Sequence, residues 1–175
     1  MTQAAAQHAV PRRPRAPRAV QSAVSPMARW IAGDAHYAGL FSLGPVERIS
    51  VVRAGVPATV LATLADDMQV TRDQLFAWAG IARATANRKV RLSAALSPDE
   101  SERVLAIARL IGQVEQIVAE SGNAAGFSPA TWTAAWLAQP ALALGGRCPG
   151  EFIDTADGRA LVSALIAQMQ SGAYA

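Results

Sequence analysis

The spacing of apolar residues predicts a series of short helices from about residue 46 onward. An apolar residue at every third or fourth position is the pattern of a helix that buries one face. The pattern recurs over 46–53, 57–68, 72–79, 82–92 and 98–118, in a short helix that ends before Pro140, and over 157–169. The sequence therefore predicts an all-α fold.

Capping residues indicate where several of these helices begin and end. Thr71 is a suitable N-cap for the helix over 72–79, and Gly80 is a suitable stop. Ser97 is followed by Pro98 and two acidic residues, the order expected at a helix start, because proline fits the first turn and carboxylates favour the positive end of the helix dipole. By the same rule we expect Pro57 to open the helix over 57–68.

The helices over 72–79 and 82–92 are joined through one glycine, which is typical of a helix-turn-helix. We expect Ala82, Ala86 and Val90 to face the core. Arginine and asparagine can pair with guanine and adenine edges in the major groove. We therefore predict that DNA is read by a polar, mostly basic row on the second helix: Arg83, Thr85, Asn87, Arg88, Lys89 and Arg91. A basic helix face in solvent is the alternative.

The helix over 98–118 carries an apolar stripe from Val104 to Val118 that must be buried against something. The other helices of the chain and a second copy of the chain are both candidates.

Trp132 and Trp136 are four residues apart and share a helix face. Since one helix-turn-helix reads only a few base pairs, we expect at least a homodimer that uses the stripe or the tryptophan face.

The first thirty residues are rich in arginine and proline. Residues 10–18 contain three prolines among four arginines, which forbids a helix interior and leaves little to bury. We predict a disordered basic arm over residues 1–30 that adds loose contacts to phosphates.

The charge also differs between the two ends of the chain. Residues 97–175 hold four basic and eight acidic residues, so the basic front of the chain favours a polyanion and the acidic rear favours a different partner.

The composition also narrows the chemistry. Cys148 is the single cysteine and lies far in sequence from His8 and His36, so we expect no disulfide, no metal site, no other cofactor and a reducing, cytoplasmic compartment. The longest charge-free run, 121–146, is broken by prolines and glycines, so we expect no membrane span. Asp154 and Asp157 are interpreted as helix caps and Cys148 as a small loop residue, which predicts that the protein is not an enzyme.

Several spaced motifs occur in one order along residues 46–175. They are Leu96-Ser97-Pro98-x-Glu100, Trp136-Leu137-x-x-Pro140-x-x-x-Leu144-Gly145-Gly146, Pro149-x-x-Phe152-Ile153-Asp154-Thr155, and Gly172-Ala173-Tyr174-Ala175. Together they resemble the Xre/MbcA/ParS-type antitoxins, the antitoxin members of type II toxin–antitoxin pairs whose toxins carry a RES domain.

This resemblance implies an Xre-like helix-turn-helix domain at 46–95 that binds the operon's own promoter and represses it. It also implies a helical domain at 96–175 that binds a RES-domain toxin acting on NAD, in a homodimer or a larger complex with toxin. The toxin-binding residues it implies are Trp136, Leu144, Gly145, Gly146, Ser171, Gly172, Ala173, Tyr174 and Ala175. The alternative is a DNA-binding regulator whose rear domain binds another protein or a small ligand.

The resemblance also implies how the toxin would be inhibited. Residues 170–175 carry no charged side chain and no apolar run able to form a core. We expect this segment to enter the toxin's NAD pocket, with the Ala175 carboxylate in a phosphate site and Tyr174 stacked where a substrate ring would lie.

Overall fold

The computed structural model describes residues 25–34, 36–122 and 125–170. Within these residues the chain is helical, with isolated β-bridges at Pro57–Ala95 and Ala141–Arg147. The predicted all-α fold is confirmed. The helices are α1 (Pro26–Ile31), α2 (Ala38–Phe41), α3 (Pro45–Ala54), α4 (Val60–Met68), α5 (Arg72–Trp78), α6 (Arg83–Arg91), α7 (Pro98–Ser121), α8 (Pro129–Leu137) and α9 (Ala156–Gln170), with 3₁₀ turns at Leu142–Leu144 and Pro149–Glu151.

The long helix α7 lies at the centre of the fold, and α2, α3, α8 and α9 pack against it. Its apolar stripe is buried from Val104 to Val114, and Val118 is partly buried against the same core. The stripe therefore packs within its own chain, and the expectation that it could serve a homodimer is wrong. Burial inside the monomer leaves no apolar area there for a second copy.

Helix α2 crosses α7 in close contact at Gly112. A Cβ atom added to Gly112 would lie 2.2 Å from the carbonyl oxygen of Tyr37 and 3.1 Å from the Cβ of Phe41. One turn further along α7, the Glu115 carboxylate accepts hydrogen bonds from the backbone N–H groups of Tyr37 (2.6 Å) and Ala38 (2.8 Å). The glycine permits the close approach, and the carboxylate satisfies the otherwise unpaired start of α2.

The N-terminal part of the described chain corrects the predicted arm. Helix α1 spans Pro26–Ile31, the Ser25 hydroxyl accepts from the Met27 N–H at 3.3 Å, and Met27 and Trp30 are buried. The prediction of disorder is therefore wrong for residues 25–30, because two large apolar side chains there reach the core. The rest of the predicted arm, residues 1–24, lies outside the described residues.

Most predicted caps are confirmed. The Thr71 hydroxyl accepts from Gln74 N, and Ser97 and Glu100 form a reciprocal capping box at the start of α7. Pro57 differs from its prediction, since it forms a bridge with Ala95 and α4 begins at residue 60.

Two further sequence interpretations are corrected by side-chain placement. Before α9 it is the Thr155 hydroxyl, and not an aspartate, that accepts the capping hydrogen bond, from the Gly158 N–H at 3.1 Å. On α6, Ala86 is buried and Val90 partly buried as expected, but Ala82 is exposed because it precedes the first turn of the helix.

Residues 46–95 and 96–170 share one hydrophobic core. Two hydrogen bonds at Val56 connect the two ranges. The Leu96 N–H donates to Val56 O at 2.8 Å, and the Val56 N–H donates to the Ser101 hydroxyl at 2.9 Å. The Arg103 guanidinium donates to Ala79 O at 2.7 Å, next to the turn between α5 and α6. The helix pair α5–α6 is thus held directly on α7.

Candidate DNA-reading and toxin-binding surfaces

Helices α5 and α6 form the predicted helix-turn-helix. Gly80 lies between them with φ +59°, a conformation that a side chain would strain. The N–H of Ile81 donates back to Phe76 O at 2.9 Å, and Phe76 is buried. The turn is therefore fixed by the backbone of α5, and α6 begins at Arg83 without a side-chain cap.

The structure divides the six predicted DNA-reading residues of α6 into four groups. Arg88 and Arg91 are exposed, and within the described chain neither forms an ion pair. Arg83 is exposed but forms an ion pair with Asp73 of α5 at 3.0 Å, in solvent where such pairs contribute little. Thr85 and Asn87 are half-buried.

Lys89 forms the fourth group, because the structure places it in an ion pair that the sequence pattern did not indicate. Its side chain is 16% exposed, and its ammonium lies 2.5 Å from a carboxylate oxygen of Glu100, which is itself 12% exposed. The same Glu100 oxygen accepts from Ser97 N–H at 2.6 Å. Lys89 therefore connects the end of α6 to the start of α7, and we expect it to contribute less to phosphate binding than the unpaired Arg88 and Arg91.

The Lys89–Glu100 pair also has a pH dependence. Burial raises the pKa of Glu100, but the hydrogen bonds from Lys89 and Ser97 outweigh burial and hold the pKa below its usual value. A carboxyl whose pKa is lowered on folding stabilises the folded state above its unfolded-state pKa. The pair's contribution is accordingly present at neutral pH and is lost as the pH falls through the folded-state pKa.

Replacing Lys89 with methionine is expected to lower the free energy of unfolding by about 1–3 kcal/mol, because Glu100 is left charged and partly buried. The salt dependence of promoter binding should stay unchanged. Arg91→Met is the matched control on the same helix: we expect stability within about 0.5 kcal/mol of the parent and a salt slope smaller by about one. Urea unfolding and binding titrations at several salt concentrations measure both quantities. A reduced salt slope for Lys89→Met would contradict this assignment.

The predicted toxin-binding residues occupy two places. Ser171, Gly172, Ala173, Tyr174 and Ala175 lie outside the described residues. Trp136 is half-buried on α8, where its ring stacks on Trp132 with centroids 6.1 Å apart and planes within 5°. Phe127 extends this row, with its centroid 6.3 Å from Trp132.

Leu144, Gly145 and Gly146 belong to a closed turn over residues 141–147, here named the Leu142 turn. The N–H of Ala141 donates to Arg147 O at 3.0 Å, and the N–H of Gly146 donates to Ala141 O at 3.0 Å. Gly145 and Gly146 have φ of +66° and +81°, so the turn requires glycine at both positions. Leu144 is half-buried below them.

The sequence interpretation missed Leu142. This side chain is 94% exposed at the start of the 3₁₀ turn, the largest exposure among the described large apolar residues. The neighbouring alanines and leucine give a local pattern that does not distinguish the exposed leucine from the half-buried one. Only the turn geometry separates Leu142 from Leu144.

Charged residues stabilise the base of the Leu142 turn. Arg147 forms an ion pair with Glu151 at 3.0 Å, and its guanidinium lies 4.4 Å from the ring centroid of Phe152. The Cys148 N–H and the Arg147 guanidinium lower the pKa of Glu151 through hydrogen bonds. The Cys148 thiol donates to Ala138 O at 3.3 Å, and this hydrogen bond connects the cysteine to the end of α8.

Two kinds of site are not found in the part of the chain that the structure describes. Residues 25–34, 36–122 and 125–170 contain no group of three or more His, Cys, Asp or Glu side chains placed to hold a metal ion. None of the helices in these ranges has the length and apolar character that crossing a bilayer requires.

The described chain combines a helix-turn-helix that has exposed arginines with a helical region that carries stacked aromatic rings and an exposed apolar turn. Residues 47–109 match the antitoxin Xre-like helix-turn-helix domain, and residues 123–172 match the antitoxin Xre/MbcA/ParS C-terminal toxin-binding domain. The chain is therefore an antitoxin of a toxin–antitoxin system.

The comparison with curated proteins extends this result. A relative from Sphingobium sp. (strain YBL2), the Prs ADP-ribosylating antitoxin, is 42% identical over 139 residues, which cover 79% of this chain and 87% of the relative. The chain belongs to the Xre/MbcA/ParS-type antitoxin family. The first match ends at residue 109, inside α7, in agreement with the hydrogen bonds that join the helix-turn-helix to that helix.

Proposed function

We propose that this antitoxin inhibits a RES-domain toxin by occupying its NAD pocket and represses its own operon through α6. The toxin half of the proposal rests on the match of residues 123–172 to a toxin-binding domain. The name of the Sphingobium relative supports the NAD pocket, because ADP-ribosyl transfer uses NAD as its donor. The protein acts in the cytoplasm as a binding protein and not as an enzyme.

Residues 171–175, together with Trp136, Leu144, Gly145 and Gly146, form the proposed toxin-binding set. The described part of that set supports binding through its geometry, since the Leu142 turn is exposed and the stacked tryptophans are partly exposed within the matched domain. The test is whether the purified protein stops NAD consumption by the RES-domain protein encoded beside its gene. Continued NAD consumption in the presence of excess antitoxin would reject the toxin half.

For the DNA half, the exposed arginines Arg88 and Arg91 on α6 are the supporting observation. Residues 46–95 would read the promoter, and residues 96–175 would bind toxin. We further propose that the protein binds its operator as at least a homodimer, since a single recognition helix reads few base pairs. With the α7 stripe buried, the Trp132/Trp136 face is the remaining predicted surface for a second copy.

Arg88→Ala is expected to weaken promoter binding by about 1–3 kcal/mol and to relax the preference at one operator position. Deleting residues 1–24 should reduce the salt slope and leave the preferred sequence unchanged; Ser25 is kept because it caps α1. Arg53→Ala on α3 is the control for a lost exposed charge. Binding to a library of operator variants measures these effects, and parent-like binding by Arg88→Ala would reject α6 as the recognition helix.

A further inference from the structure

The exposure of Leu142 is unusual for its surroundings. Within residues 25–34, 36–122 and 125–170 the structure buries 33 hydrophobic residues, yet this leucine is 94% exposed. Its neighbours in the turn, Ala143, Gly145 and Gly146, are also exposed. Isolated surface leucines are common, so exposure alone indicates nothing. Leu142 differs from such residues because hydrogen bonds hold the backbone of its turn.

The backbone of the Leu142 turn is fixed before any partner binds. The N–H of Leu144 donates to Ala141 O at 3.0 Å, and the N–H of Gly145 donates to Leu142 O at 3.0 Å. The Ala141–Arg147 bridge closes the turn, and Arg147 is in turn held by Glu151 and Phe152. These contacts hold the backbone that carries Leu142, and a preorganised backbone loses little conformational entropy on binding.

The surroundings of Leu142 are exposed and carry little bulk. A Cβ atom added to Gly145 or Gly146 would meet no heavy atom within 4 Å, so open space surrounds both glycines. Two residues without side chains next to a fixed leucine allow another protein's backbone to approach closely. The matching partner surface is an apolar pocket that admits one branched side chain and has a narrow rim.

The toxin is the occupant that the observations favour. The Leu142 turn lies inside residues 123–172, the segment that matches a toxin-binding domain. A second copy of the chain is the competing occupant, and light scattering on the variants distinguishes it from the toxin. We propose that Leu142 inserts into an apolar pocket of the toxin, as an anchor separate from residues 171–175. This inference rests on the proposed toxin binding.

Leu142→Ser in the full chain is expected to weaken toxin binding about 10- to 100-fold, mainly through faster dissociation. Leu92→Ser is the matched control, since Leu92 is also an exposed leucine, at 67%, but lies after α6 and outside the toxin-binding match. Affinity and dissociation rate are measured with purified toxin, with circular dichroism and light scattering on each variant. The control should bind toxin like the parent.

Each outcome has a defined meaning. Parent-like toxin binding by Leu142→Ser, equal weakening in Leu92→Ser, or a lost self-association with toxin affinity intact would each overturn the anchor. A parent chain that does not bind toxin would reject the proposed function itself. A chain lacking residues 172–175 gives an independent readout: its remaining toxin binding should fall further when Leu142→Ser is added, and no further fall would overturn the inference.

Discussion

Deleting residues 172–175 is expected to reduce toxin inhibition by at least about 100-fold while leaving promoter binding and helicity unchanged. Under the proposed function these residues enter the NAD pocket, so their loss removes the group that competes with the dinucleotide. Helix α9 ends at Gln170, before the deletion, and its buried residues Val162, Leu165 and Ile166 remain. The hydrogen bond between Gln113 and Ser163 O, at 2.9 Å, also remains to hold α9 on α7.

The measurement is the rate of NAD consumption by the toxin at increasing antitoxin concentration, alongside circular dichroism and promoter titration. Deletion of residues 1–24 is the control for removing a terminal segment, and it should leave inhibition intact. If the chain lacking residues 172–175 silences the toxin at the parent's concentration, inhibition operates through the folded surface alone. Tyr174→Ala in the full chain then separates the aromatic ring from the backbone of the segment.

Gly112→Ala is expected to lower the free energy of unfolding by about 2–4 kcal/mol. Helix propensity alone predicts the opposite, a gain of about 1 kcal/mol for alanine over glycine inside a helix. The added methyl group would overlap the Tyr37 carbonyl, 2.2 Å away, and α2 would have to move. That movement would also disturb the hydrogen bonds that Glu115 accepts from the start of α2.

Urea unfolding of Gly112→Ala and of the parent measures this effect. Gly44→Ala is the control, since Gly44 has an ordinary φ of −65° and an added Cβ there meets no atom within 4 Å. We expect its stability to change by less than about 1 kcal/mol. An alanine at position 112 that stabilises the protein would mean that α2 and α7 do not approach as closely as described.

The helix-turn-helix shows how far sequence reasoning reached for the functional surfaces. Thr71 as cap, Gly80 in the turn and α6 as a basic helix were predicted and are present. The ion pair of Lys89 was not predicted, because the pattern on α6 gives its face but not the carboxylate of Glu100 that approaches from the next helix. The toxin-binding residues remain predictions.

The sequence by itself determined the elements that depend on contacts within a few residues. The capping box of Ser97 and Glu100 at the start of α7 and the Thr71 cap at the start of α5 are examples, and each is formed by groups within one turn of the helix end. Apolar spacing likewise determined which face of α7 is buried.

Tertiary structure alone decided what covers that face and which exposed groups are free. Met27 and Trp30 follow an arginine- and proline-rich stretch, and only the core they reach makes α1 a helix. Lys89 was expected in solvent and is paired with Glu100 in a mostly buried position, whereas Leu142, which no sequence pattern singled out, is exposed. The physical reason is that the burial of a side chain depends on which distant segment of the chain packs over it. The local pattern of periodicity and charge does not identify that segment.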